Sequence, residues 1–169
     1  QQSAREVHQL SDPELIRRIV ALEELARQPR AEVGGIGARI YNTVDETLAT
    51  SGAIATVTFN SNRYDTGSLS SSDRFTISQA GVYRVGANVR FASNATGQRV
   101  LYLRLNGGTY IAITTQPAIS GGPTDCVIVT EYSFAASDYV QLQALQSSGG
   151  SLNITAAGNY SPEFWIGKV

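Results

Sequence analysis

Eight carboxylates lie beyond residue 44: Asp45, Glu46, Asp65, Asp73, Asp125, Glu131, Asp138 and Glu163. Two of them meeting across a cleft is the arrangement that glycoside hydrolysis would need. Most stand beside Gly, Ser or Thr at expected turns, where an aspartate bonds nearby backbone amides instead. A Ser or Cys nucleophile needs a base, and the only histidine, His8, sits in the N-terminal tail, far in sequence from Cys126 and from the serines at strand ends. One Cys and one His do not make a zinc site. Nothing resembles a calcium loop of alternating Asp and Asn ligands. The expectation is a protein that is not an enzyme and holds no cofactor.

Binding is the remaining chemistry. Residues 60–72 and 115–124 supply hydroxyls, amides and an aromatic, the groups that bind sugars, and Asn62, Arg63, Tyr64 and Asp65 are the candidate ligand loop. The triplets at Asn94, Asn153 and Asn159 match a glycosylation acceptor, which matters only in a eukaryotic secretory protein.

These segments must be positioned by strands. After Gly81, the residues Tyr83, Val85, Ala87, Val89 and Phe91 fall on one face and Arg84, Gly86, Asn88 and Arg90 on the other. Leu101, Leu103 and Leu105 oppose Val100, Tyr102 and Arg104 in the same way, as Val140, Leu142 and Ala144 oppose Tyr139, Gln141 and Gln143. Strands are expected at 38–43, 53–59, 73–78, 81–92, 98–106, 109–114, 125–134, 138–146, 151–156 and 162–169, with a hairpin turn at Asn106-Gly107-Gly108. That rhythm, with no βαβ spacing, predicts a β-sandwich or barrel. Val82, Tyr102, Val127, Val129, Tyr139 and Trp165 fall on nominally outer faces, where an apolar patch marks an interface.

One helix is expected, over 11–28. Asp12-Pro13 offers a cap and a first-turn proline, Ser11 with Glu14 an alternative capping box, and Pro29 a stop. Leu15, Ile19, Leu22 and Ala26 recur at spacings of four, three and four, the seam of a coiled coil. A helix of this length spans only about 24 Å and is marginal alone in water, so it needs a partner. It either forms a short trimeric stem or docks, on its own domain or on another protein. The organisation read from the chain is tail and helix at 1–28, a Gly-rich linker at 29–37 and a β-domain at 38–169.

Charged residues make up 16% of the chain and the formal net charge is −1, with arginines spread singly along strands, which argues against nucleic acid as a partner. A low-charge, hydroxyl-rich surface fits a secreted or virion protein better than a cytosolic enzyme. No stretch approaches the roughly 20 apolar residues of a membrane span, so no membrane insertion is expected. No signal peptide is read, and the absence of Met is expected of a processed chain or a fragment. A lone Cys126 makes no internal disulfide and reads as a small apolar strand residue.

The run Phe75-Thr76-Ile77-Ser78-Gln79-Ala80-Gly81-Val82-Tyr83 resembles the signature of the C1q-like domain, the trimeric jelly roll shared with the tumour necrosis factor (TNF) superfamily. Tyr64-Asp65-Thr66-Gly67 and Arg99 with Asn106-Gly107 resemble the version found in bacteriophage fibre, needle-knob and head-decoration proteins, and Phe164 to Val169 resembles the family's last strand. The resemblance covers about residues 37–169. It implies an all-β C1q/TNF-like jelly roll behind a short N-terminal helix, assembled as a homotrimer. Tyr102, Tyr132, Phe134, Phe164 and Ile166 are then expected in the protomer core or the trimer contact. Because some C1q-like domains bind calcium through loop carboxylates, Asp65 and Asp73 are the metal candidates. The implied role is a structural protein at the virion surface, in contact with other virion proteins through its N-terminal segment and with a host glycan or protein. The alternative is a secreted or cell-surface ligand for a protein or glycan receptor.

Overall fold

The longest unbroken alternation in the chain becomes its central strand. The computed structural model describes residues 13–27 and 35–169, the side chains of 21–27 excepted. Among the described residues there is one helix, α1 (Pro13–Arg27), and twelve strands. The first six are β1 (Gly37–Tyr41), β2 (Glu46–Leu48), β3 (Ile54–Thr56), β4 (Ser61–Asp65), β5 (Phe75–Thr76) and β6 (Gly81–Phe91). They are followed by β7 (Gln98–Leu105), β8 (Thr109–Pro117), β9 (Thr124–Phe134), β10 (Tyr139–Gln146), β11 (Leu152–Ile154) and β12 (Glu163–Lys168). Pro13 is the first helical residue, and the expected caps Ser11 and Asp12 lie outside the described residues.

All strand pairs are antiparallel, and residues Gly35–Val169 make one compact two-sheet unit. In the seven-stranded sheet, β6 pairs with β9 along its whole length, and its other side is shared by β12, opposite 83–88, and β11, opposite Phe91. β1 and β4 extend this sheet beyond β12. The other sheet runs β3-β10-β7-β8, with β5 also on β10. The two-residue period then decides the core: Tyr83, Val85, Ala87, Val89 and Phe91 are buried and face Leu101, Leu103, Val140, Leu142 and Ala144 of the other layer. Phe164 of β12 packs between Phe75 (4.5 Å) and Phe59 (5.8 Å) and so joins the two layers.

The Gly-x-Tyr element of the sequence has a mechanical explanation. Tyr83 turns back so that its hydroxyl donates to the Gln79 carbonyl oxygen at 2.7 Å, tying the strand to the turn before it. Gly81 has φ 152°, which side-chain-bearing residues rarely adopt, and a Cβ there would strike the Lys168 side chain. The expected hairpin is present, with positive φ at Asn106 and Gly107 and a bond from the Gly108 amide to the Leu105 carbonyl at 2.9 Å.

Two strands were not foreseen. β2 has only three residues, too few to display a period. β4 occupies residues expected to be a loop, because its sequence, Ser-Asn-Arg-Tyr-Asp, has no apolar alternation; backbone pairing to β1 makes it a strand. At the opposite side, β8 is an edge strand, exposed along most of its length and without a charged residue. Its register against β7 shifts between Leu103 and Arg104, so that Ile111 has no opposite residue, and it ends at Pro117.

Arg99 is fully buried and, among the described residues, pairs with no carboxylate. Its guanidinium donates to the carbonyls of Asn94, Thr96 and Gln98 at 2.8 to 3.1 Å, closing the turn before β7, and burial pulls its pKa below the usual guanidinium range.

The Trp165 ring packs against Gly86, its strand partner, on the outer side of the seven-stranded sheet. A methyl added at Gly86 would overlap that ring and lie 3.0 Å from the Ile128 carbonyl oxygen. Gly86→Ala is expected to cost about 1–3 kcal/mol in urea unfolding and to shift the emission of the single Trp. Unchanged stability and emission would mean that the ring is not seated on the glycine.

Candidate functional site

The outward residues of β9 read Asp125, Val127, Val129, Glu131, and those of β6 read Arg90, Asn88, Gly86, Arg84 in register opposite them. The ends therefore pair as ions. Arg90 holds Asp125 through two bonds of 2.7 Å, and Arg84 holds Glu131. Arg90 depresses the Asp125 pKa and has its own raised in return, and its guanidinium also stacks 4.8 Å over Tyr160. Exposed pairs of this kind add little stability. Between them Val127 and Val129 stand 56% and 52% exposed, with Val82 of the same face at 45%. These are β-branched residues placed where a free-standing sheet carries polar groups, so the face is apolar in the middle and charged at both ends.

Across Trp165 the same face becomes cationic and aromatic. Glu163 is completely buried and accepts from Arg39 Nε at 2.6 Å and from Arg63 Nε at 2.7 Å. The two guanidiniums continue to the carbonyls of Asn159 and Gly158, and they stack on Trp165 (5.6 Å) and Tyr41 (4.1 Å) respectively. One carboxylate thus ties β12 to β1, β4 and the loop before β12. Arg63, expected in a ligand loop, stands in β4, and its bond to a residue 100 positions away makes it a structural brace. Tyr64, its neighbour, is exposed and lines a shallow groove with Trp165, Arg84 and Lys168.

The metal candidates are already engaged. Asp65 accepts from the Leu69 and Ser70 amides at 2.9 Å and from the Ser70 hydroxyl at 2.6 Å. Asp73 is held by Arg74 at 2.7 and 2.9 Å and by Gln141 at 2.9 Å. Among the described residues no group of three or more His, Cys, Asp or Glu could hold a metal ion. Asp45, Glu46 and Asp138 likewise accept backbone amides, from Ala156, Thr58 and Ala135. Cys126 is buried on β9, and burial pushes its thiol up to about 11. His8 lies outside the described residues.

The other expected site residues separate by position. Phe134, Phe164 and Ile166 are in the core, and Tyr132 packs against it, edge-on to Phe134 at 5.1 Å. Tyr102 is half-buried on the outer side of the other sheet, 5.0 Å from Tyr110, because on β7 it alternates with the buried Leu101 and Leu103. On α1, Leu15, Ile16, Ile19 and Val20 are exposed, while the side chains of Leu22 and Ala26 lie outside the described residues.

No protein-family model matches the chain, and a comparison with curated proteins finds no match. Solved structures do resemble it. The Eiger TNF of S. frugiperda superposes with a TM-score of 0.61 at 14% identity, covering 80% of this chain and 92% of that one. Murine APRIL gives 0.63 at 9% identity, covering 79% and 98%. The globular domain of zebrafish complement 1qA gives 0.55 at 13% identity, covering 78% and 92%. The fold is therefore the expected C1q/TNF-like jelly roll, reached at an identity that carries shape alone.

Burial raises the Asp65 pKa, but the bonds from Ser70 and from the amides of the same turn outweigh it, and the net shift is downward. A depressed folded-state pKa stabilises fully above the unfolded value of about 3.9 and loses that contribution as pH falls through the lower folded value. Asp65→Asn is expected to lower the melting temperature at pH 7 by about 2–4 °C and to flatten the loss of stability below about pH 4. Parallel acid limbs in parent and variant would overturn this reading of the turn.

Proposed function

We propose that the chain is a homotrimeric C1q/TNF-like head that serves as an outer structural protein of a bacteriophage, stabilising the particle or contacting the host. The observation that carries the trimer is the outward face of β6 and its edge partner β9, where Val127 and Val129 stand exposed between two ion pairs and Val82 stands exposed beyond the Arg84–Glu131 pair. A second and third copy of the same chain offer matching apolar surface, and the resemblance of the Phe75–Tyr83 run to a trimeric family supports that occupant over an unrelated one. The exposed apolar stripe of α1 at Leu15, Ile16, Ile19 and Val20 supports the same stoichiometry, since three such helices bury in one another what each leaves open. In this reading residues 1–28 are stem or anchor to other virion proteins, 29–37 a spacer, and 38–169 the head at the virion surface.

The phage setting rests on the Tyr64–Gly67 and Asn106-Gly107 resemblances and on the low-charge surface. The role is adhesive and mechanical, with no catalytic step. A second reading, a secreted or cell-surface ligand, is favoured by the TNF and APRIL structures among its likenesses. Genes for capsid and tail proteins beside this one support the first reading; an upstream signal peptide supports the second.

The expected mass by light scattering is three times the 18.1 kDa chain. Replacing both Val127 and Val129 by Asp places unpaired charge in the contact and should yield a monomer with an unchanged β-sheet spectrum. Leu22→Asp should weaken only the stem. A monomeric parent, or a double variant as firmly trimeric as the parent, would sink the proposed contact.

A further inference from the structure

The two sheets draw together at β8 and β9 and part at the opposite side, where β4 and the segment leading into β5 leave a cleft of about 370 Å³. Its apolar floor is formed by Ile40 and Phe59, both nearly buried. Ser61 and Asn62 line it from β4, and Ser71 and Ser72 line it from the returning segment. The volume falls within the range of about 300–1,000 Å³ typical of small-molecule sites.

We propose that this cleft binds a neutral saccharide. Among the described residues no charged side chain lines it, so neither phosphate nor carboxylate finds a cation among them, and a metal ion finds no free carboxylate. What remains is a ligand with hydroxyls around a ring, to set against the hydroxyls and amides of the two walls. The polar groups divide in two. Ser70 and Ser71 are fixed by Asp65 and Asp73, and Asn60 is locked in exchange with Thr43, so the walls are held before anything binds. The Ser61 and Ser72 hydroxyls and the Asn62 side-chain amide make no hydrogen bond with the described residues and are available to a ligand. The Phe59 amide donates to the Ser72 carbonyl oxygen at 2.6 Å, which joins floor to wall. Asp65, a calcium candidate only through the family resemblance, acts here as the brace behind the site.

This site deepens the host-contact part of the proposed function and rests on it only for its biological setting. The test is a titration of the full ¹⁵N-labelled chain with glucose, galactose, N-acetylglucosamine and their β-linked disaccharides, with glycerol as the acyclic polyol. Saturable shifts confined to amides 59–62 and 70–72, from at least one sugar and not from glycerol, are expected, with a Kd of about 1 mM. Asn62→Leu, at an exposed position, should weaken that binding about tenfold with the rest of the spectrum unchanged. No saturable shift up to about 50 mM, equal shifts with glycerol, or full binding by the Asn62 variant would each overturn the proposal. Sugar binding by a monomer would overturn the trimer alone, and a trimer that bound no sugar would overturn this site alone.

Discussion

The structure depends on β6 having two faces and being buried on one. Its inward row of Tyr83, Val85, Ala87, Val89 and Phe91 fills the centre of the sandwich, and its outward row of Arg84, Gly86, Asn88 and Arg90 lies at the centre of the other surface. Three strands take their register from it. Because a one-residue slip would exchange the rows, the same hydrogen bonds that form the core fix Val127 and Val129 outward. Core and interaction face are therefore one specification. Gly86 shows the coupling: its missing side chain is the seat of Trp165, which separates the apolar half of the face from the Arg39–Glu163–Arg63 cluster.

Half of the carboxylates beyond residue 44 hold backbone, and the other half pair with arginines. Asp45, Glu46, Asp65 and Asp138 accept amides within loops, and Arg99 donates to three carbonyls and, among the described residues, pairs with no carboxylate. Long loops in a fold with few staples need such ties, since every unpaired backbone group buried under a turn costs free energy. Hence carboxylates that read in one dimension as a catalytic or metal-binding set are dispersed in three.

Much of the fold was legible because its signal is local. Alternation in 81–91, 98–105 and 139–146 reports burial directly, and the Gly81–Tyr83 spacing marks a turn that only glycine suits. β4 was not legible, since its residues are polar and its strand conformation is supplied by β1 and by Glu163, far away in sequence. Val127 and Val129 were read on the outer face although the opposing row of Cys126 and Ile128 is apolar too, and pairing with β6 is what holds them there. Tyr102, read from its alternation with Leu101 and Leu103 as an outer-face residue, does lie on that side of β7. The cleft was half visible: the hydroxyl-rich run was apparent, but not that residues 60–62 and 70–72 stand across from one another over Phe59.

β8 has consequences for how the protein behaves in concentrated solution. An exposed strand at the rim of a sheet invites a foreign strand to pair with it, and many proteins prevent this with a lysine or another charge. β8 carries none. Its defences are the unmatched residue Ile111, which breaks the even spacing of the outer hydrogen-bonding groups, and Pro117, which removes a donor at the end. Both are features of backbone shape. Protection built on charge weakens as ionic strength rises or as a side chain titrates; an unmatched residue and a missing donor are backbone features that depend on neither.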